Sequence, residues 1–246
     1  MTTRAEFLGR VRTEMAKTRG LFSATPSPRP GHPREAAETV RRQLAERWPP
    51  ALDRFRAEFE RVAGVFHRVP SLVEVPALLA RIAAVTGARE VVGWEAGALG
   101  WDLSAALTPL GLTVRSAPGG DGDAERLRHR EEAARAPLGI TGVDWALAET
   151  GTLIIASGPG RPRSTSLLPD THVAVFGPGH LVESLEQVGL LLEAFHADGG
   201  AAVRGGTIAF ITGPSRTADI ELTLTRGVHG PREVHAVFVD TLGGPA

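Results

Sequence analysis

A chain of 246 residues, 42% of them hydrophobic, can bury the core of one medium-sized domain with a helical extension, and its formal net charge of −1 excludes a general electrostatic attraction to nucleic acid or membranes. It has no cysteine, which rules out disulfides, a thiolate nucleophile and cysteine-held zinc or iron–sulfur centres in this chain. With no tyrosine and Lys17 as its single lysine, its acids and bases are carboxylates and eight histidines.

Residues 5–15 place Phe7, Leu8, Val11 and Met15 at helical spacing, with no apolar run of signal-peptide length. "FSATPSPRPGHP" (22–33) then interrupts with four prolines. From Arg34 to Val69 the chain is rich in Arg, Glu, Ala and Leu. Phe55, Phe59, Val62 and Phe66 recur at three- and four-residue spacing, and Pro49-Pro50 divides the stretch into two predicted helices. Residues 1–69 read as a helical arm and linker, and 70–246 as the main domain. Nothing approaches the roughly 20 apolar residues of a bilayer span, so a cytoplasmic protein is expected.

Beyond Pro70 the pattern alternates between helical and strand-like units: "VPALLARIAAVTGA" then "REVVGW", "WDLSAALTPLG" then "LTVRSA". "GTLIIAS", "HVAVFG", "GTIAFITG" and "EVHAVFVD" are short apolar runs bounded by Gly or Pro, and the helix-like "LVESLEQVGLLLEAFHADG" joins the second to the third. Continuous apolar strands alternating with helices predict an α/β fold, a mostly parallel open sheet with helices on both faces. "HADGGAAVRGG" (196–206) and "GPGRPRSTSLLP" (158–169) read as loops.

Three stretches gather groups capable of chemistry. "ITGPSRTADIE" (211–221) sets Ser215, Arg216 and Thr217 beside Asp219 and Glu221, just past a strand and the turn residue Gly213. It fits a helix start, whose free N–H groups and arginine fork would hold an anion, or an alternating strand in which the acids balance Arg216. "ETGT" puts Glu149, Thr150, Gly151 and Thr152 ahead of a buried strand. Glu149 is there a base, nucleophile or ligand-orienting group, or else a turn cap or a partner of Arg161 or Arg163. "RGVHGPREVH" brackets His229 between Gly227 and Gly230, open for proton transfer, and places His235 in the wall of the last strand. No histidine spacing matches a zinc motif, so no metal is expected.

In this order and spacing, "AETGTLII", "SLLPDTHVAVF", "GPSRTADIE" and "GVHGPREVHAVFVD" resemble the LutC/YkgG family, the short LUD-domain proteins of bacterial lactate utilization. The likeness covers about residues 70–240. It implies a NagB/RpiA/CoA-transferase-like fold with its site at the strand ends. It also implies a non-redox subunit in a system that oxidises L-lactate to pyruvate, binding a small carboxylate or phosphate. Iron–sulfur clusters then belong to cysteine-rich partner subunits, and no cofactor to this chain. The family pattern singles out Glu149, Thr150, Gly151, Thr152, Gly213, Ser215, Arg216, Thr217, Asp219, His229 and Gly230, with Glu149, Asp219 and His229 as the groups able to act as acids, bases or nucleophiles. Two alternatives remain: a free-standing CoA-transferase-like or sugar-phosphate isomerase-like enzyme with Glu149 as nucleophile, and an organic-acid-sensing regulator. The arginines of residues 34–69 are interspersed with glutamates, so nucleic-acid binding is not expected.

Overall fold

A computed structural model of the chain describes residues 3–17, 31–120, 122–197, 206–218 and 224–242. Its contacts divide it into two units, Met1–Gly31 and His32–Ala246. In the first, helix α1 (Arg4–Lys17) opens on a capping box: the Glu6 carboxylate accepts from the Thr3 amide at 2.8 Å, and the Thr3 hydroxyl from the Glu6 amide at 3.3 Å.

The second unit starts with α2 (Pro33–Arg61), which is bent at Arg47 (φ −117°, ψ 15°) just before Pro49-Pro50. Proline supplies no N–H and its ring clashes with the preceding turn, so the two expected helices appear as one bent rod. It leads into strand β1 (Val65–Ser71). The expected boundary at 69/70 therefore falls inside a strand, and residues 32–69 belong to the main unit. Phe66, grouped with the helix by its spacing, lies on β1.

Alternating units follow: α3 (Val75–Thr86), β2 (Glu90–Gly93), α4 (Ala96–Leu99), α5 (Leu103–Leu107), β3 (Thr113–Ser116), α6 (Asp123–Arg135) and β4 (Leu138–Thr141). A hairpin of β5 (Trp145–Leu147) and β6 (Thr152–Ala156) comes next, then α7 (Ser164–Leu167), β7 (Thr171–Phe176), β8 (Leu181–Val182) and α8 (Leu185–Ala197). The chain ends in β9 (Ile208–Ile211), the hairpin β10 (Arg216–Ala218) and β11 (Leu224–Arg226), and β12 (Glu233–Thr241).

Six strands form one wholly parallel sheet in the order β1-β12-β7-β4-β2-β3. Its central strands are apolar on both faces because side chains alternate. Val173, Val175, Val237 and Val239 join the core under α3 and α5, whereas Ala174, Phe176, Ala236 and Phe238 join the core under α2. Phe55 stacks on Phe59 at 5.4 Å and meets Phe176 edge-on at 5.4 Å, which clamps the C-terminal half of α2 to the sheet.

The expected parallel sheet is present, but two of the expected strands do not join it. "GTLIIAS" (β6) and "GTIAFITG" (β9) lie in a second, four-stranded sheet ordered β8-β5-β6-β9, in which β6 is antiparallel to both neighbours. A short apolar strand reads as a plain apolar run whatever its partner, so its direction was not in the pattern.

Candidate functional site

β3 leaves β2 on one side and the chain returns to place β4 on the other, so the order reverses between β2 and β4. Beyond the carboxyl ends of strands at such a reversal, loops part and leave a crevice. Here it is a cleft of about 1200 Å³, walled by the loops after β2, β4 and β7 and by the first half of α2.

Each loop delivers one polar group to it. Trp94 follows β2, its amide donating to the Ile140 carbonyl at 3.2 Å; Asp144 follows β4; His180 follows β7. Arg161 arrives from the 158–161 turn, where Gly160 (φ +67°) crosses so close to Glu95 that a Cβ would lie 2.9 Å from that residue's own Cβ. The Arg161 guanidinium donates to both Asp144 oxygens, at 3.1 and 2.7 Å, and the Ala156 amide donates to the same carboxylate at 2.7 Å. The two side chains are only 12% and 5% exposed. Burying such a pair costs desolvation, offset by the bidentate geometry, the third hydrogen bond and the Trp94 ring, whose centre is 4.2 Å from the guanidinium carbon.

Two donors in this cluster have no acceptor. Trp94 Nε1 and Arg161 Nε are both buried and lack a hydrogen-bond partner among the described residues. An indole N–H and a guanidinium N–H can only donate, so the complementary ligand group is an acceptor such as a carboxylate oxygen. Burial pushes the His180 pKa down, against weaker opposing effects from the Gly177 backbone and Asp144, which leaves a neutral imidazole able to take a proton at pH 7. His180 Nδ1 lies 3.2 Å from the Gly177 carbonyl; donating its N–H there orients the ring and leaves the Nε2 lone pair to accept a proton.

A profile of the LUD domain matches residues 52–239. The chain belongs to the LUD-domain family. It is 43% identical over 113 residues to a "Lactate utilization protein C" of Exiguobacterium sp., covering 46% of this chain and 48% of that one. It is 45% identical over 110 residues to the protein of that name from Halalkalibacterium halodurans (45% and 47% covered), and 33% identical over 155 residues to that from Shouchella clausii (63% and 64%). The alignments with the first two span about half the length of those relatives. A crystal structure of a DUF162 family protein from Deinococcus radiodurans superposes with a TM-score of 0.55 at 22% identity, covering 78% of this chain and 98% of that one, and shows the same fold.

Among the described residues, the site positions singled out by the LUD resemblance, Glu149 to Thr152, Gly213, Ser215 to Thr217, His229 and Gly230, do not line this cleft. β5 runs away from Asp144, so the turn at its far end, like the 212–216 and 227–231 loops, lies toward the amino ends of the parallel strands. There Glu149 accepts the Leu185 amide at 2.8 Å as a cap for α8, and hydroxyls link Thr150 to Thr152 (2.7 Å) and Thr152 to Thr212 (2.8 Å). Gly151 (φ +61°) packs on the α2 backbone, where a Cβ would lie 2.3 Å from the Phe59 nitrogen. Gly213 (φ +80°) approaches the Val62 carbonyl, to which Arg216 also donates. The Ser215 amide donates to the Pro231 carbonyl at 2.8 Å, and its hydroxyl accepts the His229 amide at 3.4 Å, with Gly230 packed against it.

Of the two readings of "ITGPSRTADIE", the strand is realised. Arg216 and Thr217 pair with Arg226 and Thr225, so no helix starts at Ser215 and no helix-end anion site forms there. Asp219 and Glu221 lie outside the described residues. Arg161 pairs with Asp144, not Glu149. The reading by motif missed Trp94, Asp144 and His180. The available signal was positional: each follows an apolar run, in "VVGW", "GITGVD" and "AVFGPGH". Among the described residues no three His, Asp or Glu are grouped to hold a metal, and no helix is long and apolar enough to cross a membrane.

Proposed function

We propose that this chain serves lactate utilization by binding a small carboxylate in the cleft at the carboxyl ends of the strands. The observation that carries the site is the pair of buried, acceptor-less donors, Trp94 Nε1 and Arg161 Nε, beside a neutral histidine. The names of the relatives supply the pathway. A three-carbon acid fills a small part of about 1200 Å³, and the remaining space suits a partner surface closing over the acid. The role is that of a non-redox component: without cysteine the chain offers no thiolate to an iron–sulfur cluster, so electrons leave through cysteine-rich partner subunits. Within this reading, Trp94 and Arg161 orient the carboxylate, Asp144 fixes the arginine, and His180 accepts a proton.

The test is complementation of a deletion strain on L-lactate as sole carbon source. Wild type restores growth, whereas Trp94→Phe and Arg161→Gln, expressed at equal levels, do not. Normal growth of both variants would refute the site. A deletion strain that grows normally on lactate would refute the pathway.

A further inference from the structure

The polar groups of the cleft are of two kinds. Trp94 Nε1 and Arg161 Nε are buried donors without acceptors among the described residues, and they lie side by side, the Trp94 ring centre 4.2 Å from the guanidinium carbon. His180 is of the opposite kind. Its Nδ1–H donates to the Gly177 carbonyl at 3.2 Å and burial holds the ring neutral, so Nε2 carries a lone pair. That nitrogen has no hydrogen-bond partner among the described residues.

Strand pairing brings this acceptor to the donors. β8 runs parallel to β5 with Leu181 opposite Ala146, so His180, one residue earlier, stands beside Trp145 at about one strand spacing, roughly 5 Å, and next in line to Asp144. The Asp144 carboxylate and the Arg161 guanidinium are close enough to push the His180 pKa in opposite directions. The carboxylates that line the cleft are engaged or lie in water. Asp144 accepts from Arg161 twice and from the Ala156 amide, and Glu35 and Glu38 are exposed on α2, Glu38 facing Arg41 at 3.8 Å.

A 2-hydroxy acid and its 2-keto counterpart share a carboxylate and differ at the next carbon. The hydroxyl can donate, whereas the keto oxygen only accepts. Against a neutral imidazole nitrogen the hydroxyl makes a hydrogen bond; the keto oxygen sets lone pair against lone pair and strips Nε2 of its water. Sites that hydrogen-bond a substrate hydroxyl reject analogues lacking it more strongly than an apolar pocket rejects a misfit. We infer that the cleft tells the two acids apart, holding the 2-hydroxy acid and releasing the 2-keto acid, with His180 as the specificity-determining residue. The inference rests on the acid-binding reading of the cleft and adds a direction to it: the chain retains what the oxidation consumes and lets go of what it makes.

The test is a calorimetric titration, at neutral pH, of L-lactate, pyruvate and propionate into the full chain, propionate carrying the carboxylate alone. Wild type is expected to bind L-lactate at least about 10-fold more tightly than either of the others. His180→Asn keeps an amide N–H for the Gly177 carbonyl and removes the Nε2 acceptor, so L-lactate should fall to the affinity of propionate with an unchanged circular dichroism spectrum. NMR of histidine-labelled wild type reads the same contact without a variant: L-lactate should move the His180 Nε2 resonance, and propionate should not. Equal binding of L-lactate and pyruvate by wild type, with both weakened by Trp94→Phe, would leave the cleft an acid site and overturn the inference. An undiminished preference in His180→Asn, or an unmoved Nε2 resonance at saturating L-lactate, would overturn it too. Binding of none of the three acids would remove the acid-binding reading and the inference with it.

Discussion

The two ends of the parallel sheet are built differently. At the carboxyl end, polar groups from three loops converge on a cleft and leave two buried donors without acceptors. At the amino end, glycines, hydroxyls and Arg216 are used up in seating the end of α2 and the loops around Ser215. A recognisable sequence pattern can therefore mark how a fold is latched, while the groups with unused hydrogen-bonding capacity sit at the opposite edge. The difference shows up in what each end should lose on mutation.

Asp144→Ala should have the largest effect. It leaves the Arg161 charge buried without its partner, at a cost of about 4 kcal/mol, and with the arginine released acid binding is lost as well. Denaturant melts and ligand titration on the same preparation read both effects. Gly151→Ala should cost about 3 kcal/mol, because the residue has a positive φ and its new Cβ meets backbone atoms of α2 that cannot step aside. The folded fraction should bind acid as wild type does. A variant at either end that changed stability and binding in the reverse sense would erase the distinction.

The next effect depends on pH. Burial lowers His172 to about 3; it lowers His67 to about 4, aided by repulsion from His235 and Arg81. Both lie well below the ordinary 6.5, so the unfolded chain binds protons that the folded chain refuses. Stability is fully present above about pH 6.5 and should fall by about 3 kcal/mol from His172 alone as the pH drops toward 4, with a further, smaller loss from the less buried His67. Urea midpoints across that range check the sign, and His172→Gln should flatten the slope. The smallest effect is expected for Arg216→Ala, which loses one exposed hydrogen bond to the Val62 carbonyl and about 1 kcal/mol, with acid binding intact.

The sequence was legible where periodicity determines structure. Apolar runs such as "HVAVFG" and "EVHAVFVD" gave the central strands, and Pro49-Pro50 gave the bend in α2. It was silent about partners. β6 and β9 look like β7 in composition yet pair antiparallel in a separate, mixed sheet, because direction is set by the tight turn after β5 and by what remains to be covered. Helix α6 escaped notice because it buries little beyond His129 and Ala133 and shows no apolar stripe. The candidate site was least legible of all. Trp94, Asp144, Arg161 and His180 are spread over 87 positions, and only the strand order β7-β4-β2 brings their loops together. Residues adjacent in the chain, as in "GPSR", attract attention first, yet here they are tied to backbone at the other end.

The most direct measurement is a calorimetric titration of L-lactate and of pyruvate into the full chain and two single variants, Trp94→Phe and Arg216→Ala. Trp94→Phe keeps an aromatic face under the Arg161 guanidinium and removes the indole N–H, so it should weaken acid binding about 10-fold at a stability cost of about 1–2 kcal/mol, while Arg216→Ala binds as wild type does. Loss of binding in Arg216→Ala with full binding in Trp94→Phe would place the acid at the amino end of the sheet and contradict the site proposed in the cleft.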